Sequence, residues 1–364
     1  MVVKDVLAFL DELAPRAYAE DFDNTGLLVG DPNDTVNGIL VTLDTLEAVV
    51  DEAIENNCNL IVSFHPIIFS GLQKLTGKTY VERTVIKALK NNISIIAVHT
   101  ALDNSWRGVN AKICDMLQLS KRSILIPQKE TIKKLTVYVP VPAADTVRNA
   151  IFSAGGGTIG NYSNCSFNIL GKGSFEGNAD SNPRVGRRGE THFGEEMQLG
   201  ITFPTHRESA VLEALFASHP YEEVAFEVHT LENKNQHIGM GMIGTLPEAM
   251  TGKTFVQHLK SALGTECIRH SQFIDRKIQK VAVLGGSGSF AIDAAISAGA
   301  DAYVTADLKY HDFFRGEGKL VLCDVGHYES EQHTKALLRD ALTKKFTNFA
   351  VVLSQTNTNP ISYS

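Results

Sequence analysis

The stretch CNLIVSFHPIIFSG, residues 58–71, predicts a buried strand that ends at a histidine. Its segment NLIVSF is an apolar run bounded by polar residues, which is typical of a strand covered on both faces of a sheet. Pro66 follows His65 and disfavours a helical conformation at that histidine. A titratable side chain that can bind metal therefore lies at the end of a buried strand, and the chain repeats this arrangement three more times.

Strands and helices alternate on both sides of this stretch. The alternation covers residues 1–125 and resumes from about 240, which predicts βαβ units and mainly parallel pairing. The segment between them follows the order β-α-β-β-α-β, a ferredoxin-like pattern that is complete in itself. We therefore predict an α/β fold with parallel-rich sheets flanked by helices. Residues 1–128 and 235–364 form its split core, and residues 129–234 form an inserted ferredoxin-like α+β domain.

The insert contains a long polar stretch, GKGSFEGNADSNPRVGRRGETHFGEE, at residues 171–196. Its glycines and charges predict a connection between a strand that ends in NCSFNIL and a strand that begins at MQLGITFP.

Composition narrows the range of functions. The net charge of -7 gives no basic face for a nucleic-acid polymer, although a single nucleotide needs only one pocket. No segment approaches the roughly 18 apolar residues of a membrane span, and the charged first helix is unlike a signal peptide. The five cysteines are widely spaced without a C-x-x-C, so we expect no disulfide framework and a cytoplasmic protein.

Polar side chains stand at the ends of four predicted strands. They are His65; His99 with Asp103; Asp307 with His311; and Asp324 followed by His327 and Glu331. Ligands of open α/β sheets bind outside the carboxyl ends of the parallel strands. Convergence of these four ends on one edge would create a cluster of histidines and carboxylates.

His327 and Glu331 have the spacing of neighbours on one helix face. Gly326 permits a sharp turn into that helix, and an imidazole with a carboxylate is a ligand pair for Zn, Mn, Fe or Co. The spacing equally fits a solvated helix start in which Glu331 interacts with the helix dipole. The spacing alone leaves both interpretations open.

Two glycine motifs resemble nucleotide sites. GMGMIG, residues 239–244, lacks the strand–turn–helix context of a dinucleotide fingerprint, so we reject it as one. LGGSGSF, residues 284–290, has that context and makes Gly286 and Ser287 secondary pocket residues, although a simple tight turn explains it as well. The sequence has no Walker lysine, which argues against ATP-driven chemistry.

Five motifs together resemble one family. FDNTGLLVGD, HPIIF, HTALD, ADLKYHD and DVGHYESE occur in the order found in the GTP cyclohydrolase 1 type 2 homologues, also called NIF-three-like proteins. The resemblance covers nearly the whole chain, including an insert that resembles the PII-like or CutA-like domain of the longer bacterial members. It implies a two-metal site on an α/β fold and a homohexameric ring.

The resemblance also implies roles for individual residues. His65 and Asp103 would hold one metal, His327 would belong to the other, and Glu331 would bridge them. His99 and His311 would line the site as candidate proton carriers, with Asp307 as a further neighbour.

The chain departs from the family pattern at Phe64, where the family usually has the first histidine of His-His-Pro. Phenylalanine offers no lone pair, and structural metal sites generally use four ligands. We therefore expect one tight divalent metal (Zn, Fe, Mn or Co) per subunit, at His65 and Asp103 with Glu331. The second position would be weak, empty, or completed by water and a neighbouring residue such as His99.

These features predict a metal-dependent hydrolase that uses a metal-activated water, with GTP as the substrate that the resemblance suggests. The partners would be a small molecule, such as a nucleotide, and other copies of the chain, without a membrane. The alternative is a metal-binding regulatory or scaffold protein without turnover. An exchangeable water on the metal would favour the enzyme, and a coordinatively closed metal would favour the alternative.

Overall fold

The computed structural model describes all 364 residues and divides into two compact units. Residues Met1–Pro127 and Gln236–Ser364 form the first unit, called the core below, and Gln128–Asn235 form the second, called the insert. Each boundary lies one residue from the one expected from the sequence.

 The core contains nine α-helices and eleven strands, and the insert contains two α-helices and four strands. The helices are α1 Val3–Leu13, α2 Glu47–Glu55, α3 Tyr80–Lys90, α4 His99–Asp103, α5 Val109–Met116, α6 Ala144–Ser153, α7 Glu208–Ser218, α8 Gly252–Leu263, α9 Ile292–Ser297, α10 His327–Glu331 and α11 Thr334–Lys345.

The strands alternate with these helices in both parts of the core, as the sequence pattern predicts. They are β1 Gly26–Val29, β2 Ile39–Thr42, β3 Leu60–Ser63, β4 Ser94–Ala97, β5 Ser120–Pro127, β6 Ile132–Pro140, β7 Phe167–Glu176, β8 Thr191–Pro204, β9 Phe226–Leu231, β10 Gly239–Met250, β11 Arg269–His270, β12 Ile278–Ser287, β13 Ala302–Ala306, β14 Val321–Asp324 and β15 Val351–Leu353.

The first sheet of the core has the order β1-β4-β3-β2-β15. All neighbours are parallel except β1 and β4, so four strands point the same way. The central strands β2, β3 and β4 are buried along their whole length, which explains their unbroken apolar sequences.

The second sheet of the core has the order β11-β14-β13-β12-β10-β5. Its central strands β12, β13 and β14 are parallel, and the outer pairings are antiparallel. The segment GMGMIG lies inside β10, which runs on through TLPEAM as one strand. This agrees with its rejection as a dinucleotide loop.

One apolar core joins the two sheets. Side chains of β2 and β3 share it with side chains of β12, β13 and β14, and helices α1, α5, α8 and α11 contribute to it. The other face of the first sheet packs against α2 and α3, and the other face of the second sheet packs against α9. The core therefore has alternating layers of helices and sheets.

The four polar strand ends lie on two sheets, and the expectation of one common sheet edge is wrong. β3 and β4 belong to the first sheet, whereas β13 and β14 belong to the second. The sequence could not reveal that there are two sheets, because both halves of the chain show the same alternation of strands and helices. That alternation does not determine which strands pair.

The insert has the predicted order β-α-β-β-α-β and a four-stranded antiparallel sheet, β7-β8-β6-β9. The prediction that residues 171–196 form a connection is wrong, because both ends of that stretch belong to the β7–β8 hairpin and only residues 177–190 connect the strands. β7 is exposed along most of its length, so it lacks the apolar alternation that marks a strand.

None of the helices combines the length and the apolar character needed to cross a lipid bilayer.

Candidate metal centre

Two strand ends of the first sheet contribute histidines to the site. β3 ends at Ser63, and the buried Phe64 and the half-buried His65 follow it. β4 ends two residues before His99, which opens α4 with a φ of 26°. A non-glycine residue in that region of backbone space is strained, and such residues concentrate at functional sites.

Two strand ends of the second sheet contribute the other groups. Asp307 follows β13 with a φ of 56°, a left-handed conformation that aspartate tolerates. Gly326 follows β14 with a φ of 93°, which turns the chain sharply into α10. That helix carries His327 and Glu331 on one face, as their spacing predicts.

Three of these side chains converge on one point. Nε2 of His65 lies 3.1 Å from Oε2 of Glu331, and Nε2 of His327 lies 3.2 Å from the same oxygen. The three residues form a group whose ligand atoms all lie within 4.8 Å of one another, a spacing that suits a single metal ion. The two sheets therefore meet at a His/His/Glu cluster.

Each histidine at this site has a carboxylate on its other ring nitrogen. The three Nδ1–carboxylate distances are 2.8 Å for His65–Asp44, 2.7 Å for His99–Asp23 and 2.7 Å for His327–Asp307. With Nδ1–H donating to the carboxylate, Nε2 carries the free lone pair. Metal-binding histidines usually have this arrangement, because the outer carboxylate fixes the ring and its tautomer.

Asp23 and Asp44 are site residues that the sequence reasoning missed. Asp44 follows the buried strand β2, so it is a further polar residue after a strand of the same sheet, and the strand-end signal could have found it. Asp23 lies in a loop without such a signal, and only its place in the motif FDNTGLLVGD marks it.

The environment shifts the pKa values of the two clustered histidines upwards. Burial alone would lower the pKa of His65, but the hydrogen bond with Asp44 and the nearby charge of Glu331 outweigh it and raise the pKa to about 10. Burial is likewise outweighed at His327, where Glu331 and Asp307 raise the pKa to about 9. Burial would raise the pKa of Glu331, but the two histidines hold it below its usual value.

Gly286 makes room for Glu331. A Cβ atom at Gly286 would lie 2.4 Å from Oε1 of Glu331, and the φ of 71° further disfavours any other residue. The amide of Gly286 donates to the hydroxyl of Ser330 at 2.9 Å, which ties the end of β12 to α10. Gly286 therefore contributes to the site because it has no side chain that would collide with Glu331. The neighbouring Ser287 is exposed.

Two buried carboxylate oxygen atoms indicate that a cation fits at this site. Oδ1 of Asp103 and Oε2 of Glu331 are buried and accept no hydrogen bond, since the two histidine Nε2 atoms beside Oε2 lie at ion-pair distance without the alignment of a hydrogen bond. Burial, and next the charge of Glu331, raise the pKa of Asp103 well above its ordinary range. A buried pair of carboxylates with unsatisfied oxygens is costly unless a cation compensates it, so the residues fit a divalent metal.

Asp103 itself lies outside the three-residue group, although its charge interacts with Glu331, His65 and His327. Both histidines lie beside one oxygen of Glu331. The expectation that His65 and Asp103 hold one metal, that His327 belongs to another and that Glu331 bridges them stays a prediction.

His311 is not brought into the cluster. It is exposed in the short 3-10 helix Tyr310–Gly316, and its ring contacts Tyr310 and Phe314 at centroid distances of 5.2 and 6.2 Å. His99 lies beside the cluster, with its ring centroid 5.3 Å from that of His65. Phe64 is fully buried, with its ring 4.8 Å from the His65 ring and 5.6 Å from the His99 ring.

Asp324 has a structural role at this edge. It is buried, pairs with Arg269, and accepts hydrogen bonds from the amides of Leu308 at 3.0 Å and Gly326 at 3.1 Å. The carboxylate thereby holds the two chain segments that leave β13 and β14.

Comparison with known proteins identifies the family. The family model of Duf34/NIF3 (NGG1p interacting factor 3) matches residues 1–360. The chain belongs to this family. The resemblance that the five motifs carry is thus confirmed, as is the α/β fold class of parallel-rich sheets flanked by helices.

Relatives within the family match along their full length. A "GTP cyclohydrolase 1 type 2 homolog" of Bacillus subtilis (strain 168) is 36% identical over 373 residues, covering 99% of this chain and 98% of the relative. A Bacillus cereus protein related to NIF3 has a crystal structure with a TM-score of 0.86 at 35% identity, covering 100% of this chain and 99% of that one. A Staphylococcus aureus protein gives a TM-score of 0.80 at 28% identity, with the same coverage.

Proposed function

We propose that this protein is a metal-dependent hydrolase whose centre is the cluster of His65, His327 and Glu331. The observation that carries the proposal is the convergence of two Nε2 atoms on one buried carboxylate oxygen, with a carboxylate behind each histidine. Three protein ligands are the usual number in catalytic zinc sites, which leave a position open for water.

A bound divalent transition metal would lower the pKa of a coordinated water towards about 7 and supply a nucleophile near neutral pH. His65 and His327 would hold the ion through Nε2, and Glu331 through Oε2. The buried carboxylate of Asp103 would add negative charge beside them and offers its unpaired Oδ1 as a further ligand. Phe64 keeps the neighbouring position apolar, which favours one tight metal over two.

His99 is the better candidate for proton transfer. Its Nδ1 is committed to Asp23, so Nε2 is free to accept or donate a proton beside the cluster. Burial would raise the pKa of Asp23, but hydrogen bonds from His99 and Thr100 outweigh it and lower the pKa, so this partner stays ionised. His311, exposed and away from the cluster, is the weaker candidate.

GTP is the first substrate to test, because the relatives carry the name of a GTP cyclohydrolase homologue. On GTP, one water would add at C8 of guanine and break one C8–N bond, which opens the five-membered ring to a formamide. A second water would break the remaining C8–N bond and release formate. The same centre suits phosphoester or amide hydrolysis, so these substrates belong in the same experiment.

The test uses protein stripped of metal and reloaded with Zn²⁺, Fe²⁺, Mn²⁺ or Co²⁺ alone. Each form is incubated with GTP, with phosphoesters and with small amides, while formate, phosphate or amine release is measured. We expect turnover of one substrate class, lowered more than about 100-fold by Glu331→Gln, because loss of a ligand exceeds the 10–100-fold cost of an outer-shell change. Glu317→Gln, at an exposed carboxylate, is the control.

A second pair of variants separates the proton carriers. His99→Gln should retain the metal and lower kcat by about 10²–10⁴-fold, the usual contribution of a general acid or base. His311→Gln should leave both unchanged. Metal binding without turnover on any substrate would instead support the regulatory or scaffold alternative.

A further inference from the structure

Residues 354–363 form an extended segment, called the strap below, that follows β15. β15 runs parallel to β2, and Leu353 pairs with Val41, so the two strands leave the first sheet at the same edge. Beyond that edge β2 continues into the loop that carries Asp44. Strand pairing therefore brings the strap beside the carboxylate behind His65.

A chain of hydrogen bonds leads from the strap to the cluster. The hydroxyl of Thr358 donates to Oδ2 of Asp44 at 2.6 Å. The other oxygen of Asp44 lies 2.8 Å from Nδ1 of His65, whose Nε2 reaches Glu331. Thr358 is only 7% exposed, so water competes little for the bond. One carboxylate thus joins the strap to a candidate ligand.

The strap is anchored on both sides of Thr358. Before it, the carboxylate of Glu52 accepts hydrogen bonds from a run of strap groups: the hydroxyl of Ser354 at 2.6 Å, the amide of Gln355 at 2.7 Å, and the hydroxyl and amide of Thr356 at 2.6 and 3.2 Å. After it, the side-chain amide nitrogen Nδ2 of Asn359 donates to Oε1 of Glu329 at 3.0 Å. Glu329 lies on α10, so the strap contacts the helix that carries His327 and Glu331.

We propose that Thr358 is a positioning residue for the metal centre, acting through Asp44 on His65. A carboxylate held at one oxygen alone can rotate about its terminal bond, and the Thr358 hydroxyl removes that freedom. The imidazole of His65 is thereby fixed with Nε2 towards Glu331. The strap also joins ligands that come from different sheets, since it contacts the loop behind His65 and the helix of the other two. This inference rests on the proposed metal binding.

The test compares the metal affinity of Thr358→Val with that of the wild type. Zn²⁺ alone is titrated in competition with a chromophoric chelator, and the visible absorption of bound Co²⁺ reports the ligand geometry. We expect Zn²⁺ binding to weaken about three- to tenfold, less than the 10–100-fold cost of changing the adjacent carboxylate. Thr356→Val is the matched control, because its hydroxyl bonds Glu52 and not Asp44.

Two further variants distinguish positioning from a general loss of stability. Thr358→Ser keeps the hydroxyl and should restore wild-type affinity and the wild-type Co²⁺ spectrum. In an Asp44→Asn background, Thr358→Val should cause no further loss, because both changes act through one pathway. Circular dichroism monitors folding, and Thr358→Ala replaces the valine variant if that variant does not fold.

The outcomes separate the two proposals. If the wild type binds Zn²⁺ and Thr358→Val binds it with the same affinity, the role of Thr358 is overturned and the metal centre stands. The same holds if Thr356→Val loses as much Zn²⁺ affinity as Thr358→Val. A wild type that binds none of the tested metals overturns the proposed function and this inference with it.

Discussion

At the scale of the residue, three carboxylates stand behind the histidines of the proposed metal centre. Asp44, Asp23 and Asp307 each hold one histidine by Nδ1 and leave its Nε2 free. A histidine held in this way has one orientation and one tautomer before any ligand arrives. Organisation of this kind lowers the cost of binding, which is why such partners affect affinity almost as strongly as the ligands.

Phe64 places an apolar ring beside two histidines of the proposed metal centre. We predict that Phe64→His raises the metal bound per subunit from one towards two, since an imidazole there adds a lone pair next to His65 and His99. Elemental analysis after dialysis measures the ratio. Phe64→Leu, which stays apolar, should bind one metal. Two fully occupied metals in the wild type would contradict this prediction.

Gly286 leaves space for the Glu331 carboxylate. Gly286→Ala should weaken Zn²⁺ binding more than about tenfold, because the new methyl group would displace Glu331. Gly318→Ala is a matched control, since Gly318 has a φ of 67° and no atom within 4 Å of an added Cβ. Both variants should lose about 1 kcal/mol of stability to backbone strain, measured by denaturant unfolding. Equal Zn²⁺ affinity in both would contradict the role of Gly286.

The sequence predicts the clustered histidines and the glutamate better than it predicts the carboxylates that contact the histidines. His65, His327 and Glu331 are visible as polar residues after buried strands, and the structure brings them together. Asp23 lies 76 residues from His99 in sequence, and such a contact depends on how the sheet closes and not on any local pattern. His311 has the same local signal as the true neighbours, but the 3-10 helix that follows Asp307 leaves its ring exposed.

At the scale of the element, buried strands are predictable and exposed strands are not. β3 and β4 are entirely buried and read as short apolar runs, whereas β7 is exposed and contains glycine at 171 and 173. Its strand conformation comes from ten paired positions with β8 and not from its own sequence. Tertiary pairing thus overrides weak local preference in this hairpin.

The end of α7 should make the insert sensitive to acid. His219 is buried, with Nε2 donating to the carbonyl of Tyr138 at 3.1 Å and Nδ1 accepting from the amide of Tyr221 at 3.1 Å. Burial lowers the pKa of His219, although the nearby charge of Glu196 opposes the shift. A proton on Nδ1 would point at the amide N–H of Tyr221, which is itself a donor. The folded state therefore resists the proton that the unfolded chain accepts.

A lowered folded-state pKa sets the direction of this effect. The stabilisation is fully present above the ordinary histidine pKa of about 6.5 and is lost as the pH falls below it, by at most about 1.4 kcal/mol per pH unit. Hydrogen exchange of the insert amides, corrected for intrinsic rates, should therefore accelerate between pH 7.5 and 5.5. His219→Gln should flatten this dependence and the exposed His229→Gln should not. A pH-independent wild type would contradict the prediction.

At the scale of the whole molecule, the insert interrupts the core between two strands that are already neighbours. β5 ends at Pro127 and β10 begins at Gly239, and these two residues pair in the second sheet. The amide of Asn235 donates to the carbonyl of Gln128 at 2.9 Å, so the first and last residues of the insert are adjacent. The core therefore needs only a short connection at this point. The homohexameric ring stays a prediction.

Replacement of residues 130–232 by a short Gly/Ser linker should leave a folded core that binds metal. The linker would close β5 and β10 as a hairpin, and all of the cluster residues remain. Circular dichroism and elemental analysis measure folding and metal content. An insoluble or metal-free product would show that the core depends on the insert.

The pairing of β15 with β2 also dictates when the protein can fold during its own synthesis. A ribosome releases the chain from its first residue onwards, and domains generally fold as they emerge. The first sheet cannot be completed until Leu353 is free to reach Val41, and the cluster of His65, His327 and Glu331 cannot assemble before Glu331 emerges. The strands of the insert all lie between residues 132 and 231, so its sheet needs no residue that is synthesised later. Its sheet can therefore form while the first sheet still has an open edge.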